Sequence, residues 1–522
     1  MRFPRLASLW TGLAIVAIAV GALPPTVAHA SWHALEEIPV ESPVYRLVED
    51  LATSYPLTRG LLLTRPWTRG ELGRFLDQLV ADVPAAARDV AVMRLRRELE
   101  PQGGLEGLEP AVSAEQEDAS FELSPYARVG YSEDRAREAV TRDHRAGLQG
   151  SLALGDAALL FADGYVGTVT PGARGTPDAS GSHRATTADV VAWYDRAYAA
   201  WASKTFSFRA GRTWLRWGPG TSGTLGLSDA APALDVFEGR VRFARSAQLT
   251  WFVAALDPAR ETYLAGHRVE LRAGPSVEVS FSELVRMDGA GNAAIGLVPV
   301  IPFALMERRL RGETESPLDS LERQRNVNLL YTVDFSWSRK PGIRLYAEVM
   351  VDDATLHNSR PLAMGWQVGG HVRRGRGRGA WSARAEYSRV YPYTYAAFTG
   401  HDFTHAGFPI GYALGPDGDQ WTGRLEWRPD PAWTWGVEGS LTRKGAQPLG
   451  QAWRPGTPVP TKLELGFPAD QDQRAALTAD WSPSPSWSVS VAGGAARIES
   501  RAHVIGDDAS GVFGSARAVL RW

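Results

Sequence analysis

The chain has 522 residues, 44% hydrophobic and 22% charged, with a net charge of −2 and no cysteine. Disulfides and thiolate metal sites are therefore excluded, and the basic excess that nucleic-acid binding needs is missing. Mean hydropathy is −0.21, too low for a helical membrane protein but expected of a barrel in which half of each strand faces water.

The N-terminus carries Arg2 and Arg5, an apolar run over 6–23, and an Ala28-His29-Ala30 site. These are the three parts of a secretory signal peptide, with cleavage expected after Ala30. No other stretch approaches the roughly 18 apolar residues of a membrane helix. An exported chain of this kind enters a membrane only as strands. Residues 31–118 read as a small helical unit and a linker. Ser42-Pro43 opens one helix, ending near Ser54. Thr68 with Glu71 forms a capping box that opens a second, ending near Ala81. A third spans about 84–100, anchored by Val90, Met93, Leu95 and Leu99, and residues 101–120 are rich in Gly and Glu, as a linker is.

From Phe121 onward the apolar period is two. Val327, Leu329, Tyr331, Val333, Phe335 and Trp337 alternate with Asn328, Thr332, Asp334 and Ser336. The same alternation recurs over 343–349, 421–428, 433–442 and 474–481. Short turns, such as those at 155–156, 274–275 and 429–432, alternate with long connections at about 167–188, 213–236, 287–324, 392–420 and 444–472. The pattern predicts an all-β transmembrane antiparallel barrel of about 18 strands over 119–522, with short turns on the inside of the membrane and long loops outside. On the polar face, residues such as Arg268, Glu270, Arg384, Glu386, Arg424 and Glu438 alternate in sign. They are expected to form ion-pair ladders between neighbouring strands. Such mixing opposes a strongly selective ion pore, which favours rings of one sign.

Two loop segments stand out. Residues 211–232 read GRTWLRWGPGTSGTLGLSDAAP, with Trp214 and Trp217 flanking Arg216 and Asp229 near the end. No Lys-Ser/Thr follows the glycines, so this is not a phosphate loop. Two readings stay open: a structured loop whose tryptophans fill the lumen, and a sugar platform of aromatic faces with an arginine fork. In the second segment, His401-Asp402 and His405 suggest sugar hydrogen bonds or, less economically, a hydrolytic dyad. No third metal ligand is evident, and no G-x-S-x-G nucleophile motif accompanies the dyad. Asp417 and Asp419 sit in a Gly-Pro-Asp-Gly-Asp turn and read as turn formers.

WLRWGP at 214–219, LGLSDAAP at 225–232 and HDFTHAGFPIGYALGPDGD at 401–419 resemble the signature of the Wzi capsule-assembly family of outer-membrane proteins. The helical segment 45–79, with Arg65-Pro66-Trp67-Thr68 leading into its capping box, is similar as well. The resemblance implies an 18-stranded barrel in a Gram-negative outer membrane, a periplasmic helical bundle at its inner mouth, and non-catalytic binding of polysaccharide at the outer surface. No individual ligand contact is carried over from the family; the candidate polysaccharide-binding residues, taken from the two loop segments themselves, are Trp214, Arg216, Trp217, Asp229, His401, Asp402 and His405. No catalytic residue, metal or cofactor is expected. The expected partners are surface or capsular polysaccharide, outer-membrane lipid and the barrel assembly machinery. The alternatives are a porin or polysaccharide export channel and, further off, an outer-membrane hydrolase.

The chain's end supplies orientation. Val512, Gly514, Ala516, Ala518, Leu520 and Trp522 share one face, and Ser515, Arg517 and Arg521 lie on the other. An amphipathic final strand ending on an aromatic residue resembles the barrel-assembly signal of outer-membrane barrels, with Leu520 and Trp522 as its apolar positions. An inward-running last strand places 213–236 and 392–420 outside.

Overall fold

The computed structural model describes residues 33–57, 60–99, 112–116, 119–170, 190–244, 246–305, 327–338, 341–353, 361–375, 377, 379–396, 402–454 and 464–521. The signal-peptide region, His401 and Trp522 lie outside these residues.

Eighteen antiparallel strands close into a barrel. They are β1 Ala119–Asp134, β2 Ala139–Leu154, β3 Ala158–Val169, β4 Val190–Ala202, β5 Phe206–Thr213, β6 Leu234–Ala244, β7 Ala247–Asp257, β8 Thr262–Ala273 and β9 Val277–Asp288. β10 Val327–Trp337, β11 Ile343–Asp353, β12 Ala363–Arg374, β13 Ala380–Val390, β14 Gly418–Arg428, β15 Trp433–Lys444, β16 Asp470–Ser484, β17 Trp487–Glu499 and β18 Ala509–Arg521 follow. Closure is made by β18 on β1, from Phe513↔Asp134 to Arg521↔Tyr126. The period-two pattern sets the faces. Val269, Phe281, Val333 and Phe335 point outward and are exposed, while Arg268, Ser282, Thr332 and Asp334, one residue away, are buried inside. A closed barrel with an apolar outer face satisfies every ladder hydrogen bond within hydrocarbon.

All five long connections leave one end of the barrel, here the loop end, and the opposite turn end carries only short connections. Short connections also occur at the loop end, at 135–138 and 258–261, so length alone does not mark the side.

The helical unit has α1 Val44–Ser54, α2 Arg69–Asp82 and α3 Val90–Leu99. The Thr68/Glu71 capping box is formed. The third expected helix is shorter than its pattern. Residues 84–88 form a 3-10 turn, and Asp89 breaks the run with an extended backbone. The reason is its side chain: it accepts the Ala91 amide at 2.8 Å and takes Arg373 of β12 on both oxygens at 2.9 and 2.7 Å. Inside the stretch read as linker, Val112–Gln116 pairs with Leu123–Ala119 of β1. It continues the line of β18 and supplies backbone partners to β1 where β18 has ended.

The unit sits at the turn end, where the Gly342 amide donates to the Thr53 carbonyl at 2.6 Å and Arg94 donates to Thr434 at 3.2 Å. It also reaches into the lumen. Asp50 of α1 is fully buried between Arg384 (2.6 Å), His371 (3.0 Å) and Arg428. The Leu62 and Leu63 amides donate to Glu278 and Glu270 at 2.6 and 3.0 Å.

Candidate functional site

The segment from β5 to β6, residues 214–233, turns back into the barrel from the loop end. Arg216–Trp217 pairs antiparallel with Thr64–Arg65 of the helical unit, and the Gly218 amide donates to Leu63 at 2.8 Å. The glycines make this possible. Gly218 has φ +130, and a Cβ on Gly220 would lie 2.1 Å from the Gln367 side chain. The inserted loop is held by two wall carboxylates. Glu348 accepts the Leu225 and Gly226 amides at 2.8 and 3.2 Å. Glu386 accepts the Thr221 and Ser222 amides at 2.7 and 3.0 Å, together with both hydroxyls.

The connection 391–417 closes over this loop. The Ser228 amide donates to Ile410 at 2.8 Å, and the Tyr395 hydroxyl donates to the Leu225 carbonyl at 2.6 Å. The Tyr412 hydroxyl lies 2.8 Å from Ser222 Oγ. Asp417, with φ +55, then ties in the next connection by accepting the Gly466 amide at 3.1 Å and the Gln447 amide at 3.3 Å. Three loops distant in sequence thus form one cap. Asp417 acts as a cross-link between loops, beyond its expected role as a turn former.

The expected binding residues separate into three places. Trp217 is 2% exposed, in an apolar cluster with Leu225, Leu227, Phe252 and Leu264, its ring edge-on to Phe252 at 5.2 Å. For Trp217 the lumen-filling reading is the one observed. Buried in the lumen, it offers no face to a surface glycan. Arg216 and Asp229 are also buried, 3.4 Å apart, and line a polar chamber of about 480 Å³. Its other walls include Arg46, Arg424, Glu438 and Arg474. Neither residue lies on the outer surface where the motif was expected.

Trp214 and His405 are the third group, and they stay at the loop end. Trp214 is half-buried, and its Nε1 donates to the Ala231 carbonyl at 3.1 Å. The His405 ring lies beside the backbone of Ala233, two residues further on. Burial pulls the His405 imidazole below its ordinary value, and the Arg212 guanidinium acts in the same sense. Arg212 is bidentate on Asp235, at 2.7 Å for each bond. It also covers the stacked rings of Trp193 and Tyr194, at 4.7 and 4.6 Å. The neighbouring ends of β4, β5 and β6 therefore gather one stacked aromatic pair, an arginine–aspartate fork and an imidazole. Asp402 belongs to the same connection as His405. Its carbonyl accepts Arg286, and its side chain is half-buried.

Sequence reasoning missed Trp193, Tyr194, Arg212 and Asp235. A signal was present: two adjacent aromatics at the start of one strand and opposite charges at the facing ends of the next two.

A family model, capsule assembly protein Wzi, matches residues 161–510. Comparison with curated protein sequences returns no match. Among solved structures, Wzi of Escherichia coli, an outer-membrane protein involved in group 1 capsule assembly and described as a carbohydrate-binding β-barrel, is similar at 16% identity and a TM-score of 0.63. The likeness covers 93% of this chain and 99% of that one. OccD3 (OpdP) and OprD of Pseudomonas aeruginosa, each 10% identical, are similar over 77% and 78% of this chain and 91% and 95% of theirs, with TM-scores of 0.45 and 0.41.

Proposed function

The chain belongs to the Wzi capsule assembly family, and from that membership we propose that it binds polysaccharide at the cell surface, without catalysis, in capsule or exopolysaccharide assembly or attachment. The barrel lies in the outer membrane. In this reading its loop end faces outward and the helical unit enters from the periplasm. Outer-membrane lipid and the barrel assembly machinery are its other partners.

One observation carries the proposal. Trp214 and His405, from loops about 190 residues apart in sequence, converge on the same returning segment at the loop end, beside the Arg212–Asp235 fork. Aromatic faces suit the apolar faces of sugar rings, and planar forks suit paired hydroxyls or carboxylates. The welded cap holds these groups in place before ligand arrives, which lowers the cost of binding. A repeating polymer engages many barrels at once, so weak single contacts suffice.

The test is surface polymer retained by cells carrying Trp214→Ala with Trp193→Ala, at matched levels of folded barrel. The expected result is release of polymer into the medium. Retention equal to the parent removes this cluster as the binding site.

A further inference from the structure

The connection from β9 to β10 begins with α4, Ala290–Gly296. From Gly289 to Leu305 it contains no charged residue, which is unusual for a connection at the water-facing end of a barrel. It does not extend away from the barrel, and it does not enter the lumen. It folds down over the outer wall.

The register establishes which wall is covered. Ala265, Val285, Met287 and Leu329 are outward-facing residues of β8, β9 and β10, on the same side as exposed Val269, Phe281 and Val333. These four are buried, and Phe303 packs among them. The approach is close: a Cβ on Gly296 would lie 2.9 Å from that of Ala265. Further down the same face, paired across β8 and β9, are His267 and Glu283. Both are polar residues at the middle of lipid-facing strands, where uncovered polarity is costly. The segment covers both. The Phe303 ring stacks on the His267 imidazole at 4.1 Å, and the Phe303 amide donates to Glu283 at 2.8 Å.

The depth follows from strand geometry. Glu283 lies five residues below the loop end of β9, at Asp288. That is roughly 17 Å along the strand, or about 13 Å of depth at the usual tilt, half of an apolar band about 25 Å tall. The outer surface of the segment is apolar as well. Val300 is 77% exposed and Leu305 63%, with Leu297 and Val298 also exposed.

We propose that residues 289–305 form a lipid-immersed strap, with Val300 and Leu305 in contact with acyl chains of the outer leaflet. The strap shields the His267–Glu283 pair and anchors the loop end at a fixed height in the membrane. Acyl chains are the occupant because the strap continues the apolar belt of Val269, Phe281 and Val333 on the same wall and brings no charge to pair with a protein partner. The inference rests on the outer-membrane placement.

The chain contains no cysteine, so single-cysteine variants label cleanly. Val300→Cys and Leu305→Cys change exposed positions and leave the packing of Phe303 intact. Each is spin-labelled in the full-length barrel in proteoliposomes and compared with Val333→Cys on the lipid belt and Ile505→Cys in the connection from β17 to β18. The expected result is an oxygen-to-nickel-chelate collision ratio at 300 and 305 equal to that at 333 and well above that at 505. Ratios at 300 and 305 equal to that at 505, with 333 still lipid-exposed, overturn the strap. A water-exposed label at 333 overturns the membrane placement itself. Labels at 300 and 305 closed to both reagents, with dipolar broadening between copies, overturn acyl chains in favour of a second copy of the chain.

Discussion

Replacing Glu386 with alanine is expected to free the tip of the inserted loop while leaving its base in place. Glu386 accepts the Thr221 amide at 2.7 Å and the Ser222 amide at 3.0 Å, inside the barrel. A hydrogen bond to a charged group contributes about 1.5–3 kcal/mol. Two such bonds give about 3–6 kcal/mol, and since the freed amides meet water in the opened lumen, the lower end applies. About 3 kcal/mol corresponds to roughly a 150-fold shift in the opening equilibrium. The Thr221 and Ser222 hydroxyls add little, because water replaces the carboxylate for them. The base is held independently, by Trp217 in its apolar cluster and by the pairing of Arg216–Trp217 with Thr64–Arg65. Hydrogen exchange with residue-level fragmentation reads the effect directly. Protection at 221 and 222 should fall by roughly that factor, while protection at 225 and 226, held by Glu348, stays at the parent level. Unchanged protection at 221 and 222 refutes the clamp. A uniform fall from 217 to 226 shows instead that the loop moves as one body.

Trp217→Ala removes a ring from a packed cluster, and a loss of about 3–5 kcal/mol is expected. It is read as a lower temperature for the gel-mobility shift that marks barrel unfolding. Trp214→Ala, at a half-buried site, is expected to cost about 1 kcal/mol, so equal losses would contradict the different burial of the two rings. Asp50 anchors α1. Burial alone would raise its carboxyl, but Arg428, Arg384 and His371 outweigh that and hold it well below the ordinary value. A depressed folded value means that its contribution is complete above the ordinary carboxylate range and is lost only as pH falls toward the folded value. Protease resistance of the helical unit should therefore persist below pH 3.8, the ordinary aspartate value. Asp50→Asn, which removes one of two carboxylates from Arg384 and Arg428 while Glu426 still pairs with both, should weaken docking by about 1.5–3 kcal/mol at neutral pH. Release of the wild-type unit already at pH 5 would show that Asp50 is not its anchor.

The barrel was legible because its physics is local. A strand in lipid must alternate, a turn must break the alternation, and both facts are written in consecutive residues, as at Val327–Trp337. The Thr68/Glu71 box was legible for the same reason. The lumen was not. Whether Trp217 faces water or the barrel interior depends on Phe252, Leu264 and the Thr64–Arg65 strand, all far away in sequence. The break at Asp89 depends on Arg373, 284 residues distant. The outer-wall fold of 289–305 depends on polar residues exposed by β8 and β9, which become a problem only once those strands pair.

The lumenal charges show how this fold uses polarity. Alternating signs suggested ladders that neutralise one another, and some do: Arg424 meets Glu438 at 2.7 Å, and Arg209 meets Glu238 at 2.7 Å. Other carboxylates do more. Glu270, Glu278, Glu348 and Glu386 each accept at least one backbone amide from the chain segments inside the barrel. A loop folded into a lumen has no ladder of its own, and unmatched amides there would be costly. The wall supplies acceptors at the positions where the inserted backbone needs them. The inserted loop in turn supports the connection 391–417 through Ser228 and Tyr395. The position of His405 beside Ala233 is thereby tied to carboxylates deep in the barrel. In the proposed function, the stiffness of the outer binding face originates in the lumen, so variants of the wall glutamates should alter polymer retention although no glycan touches them.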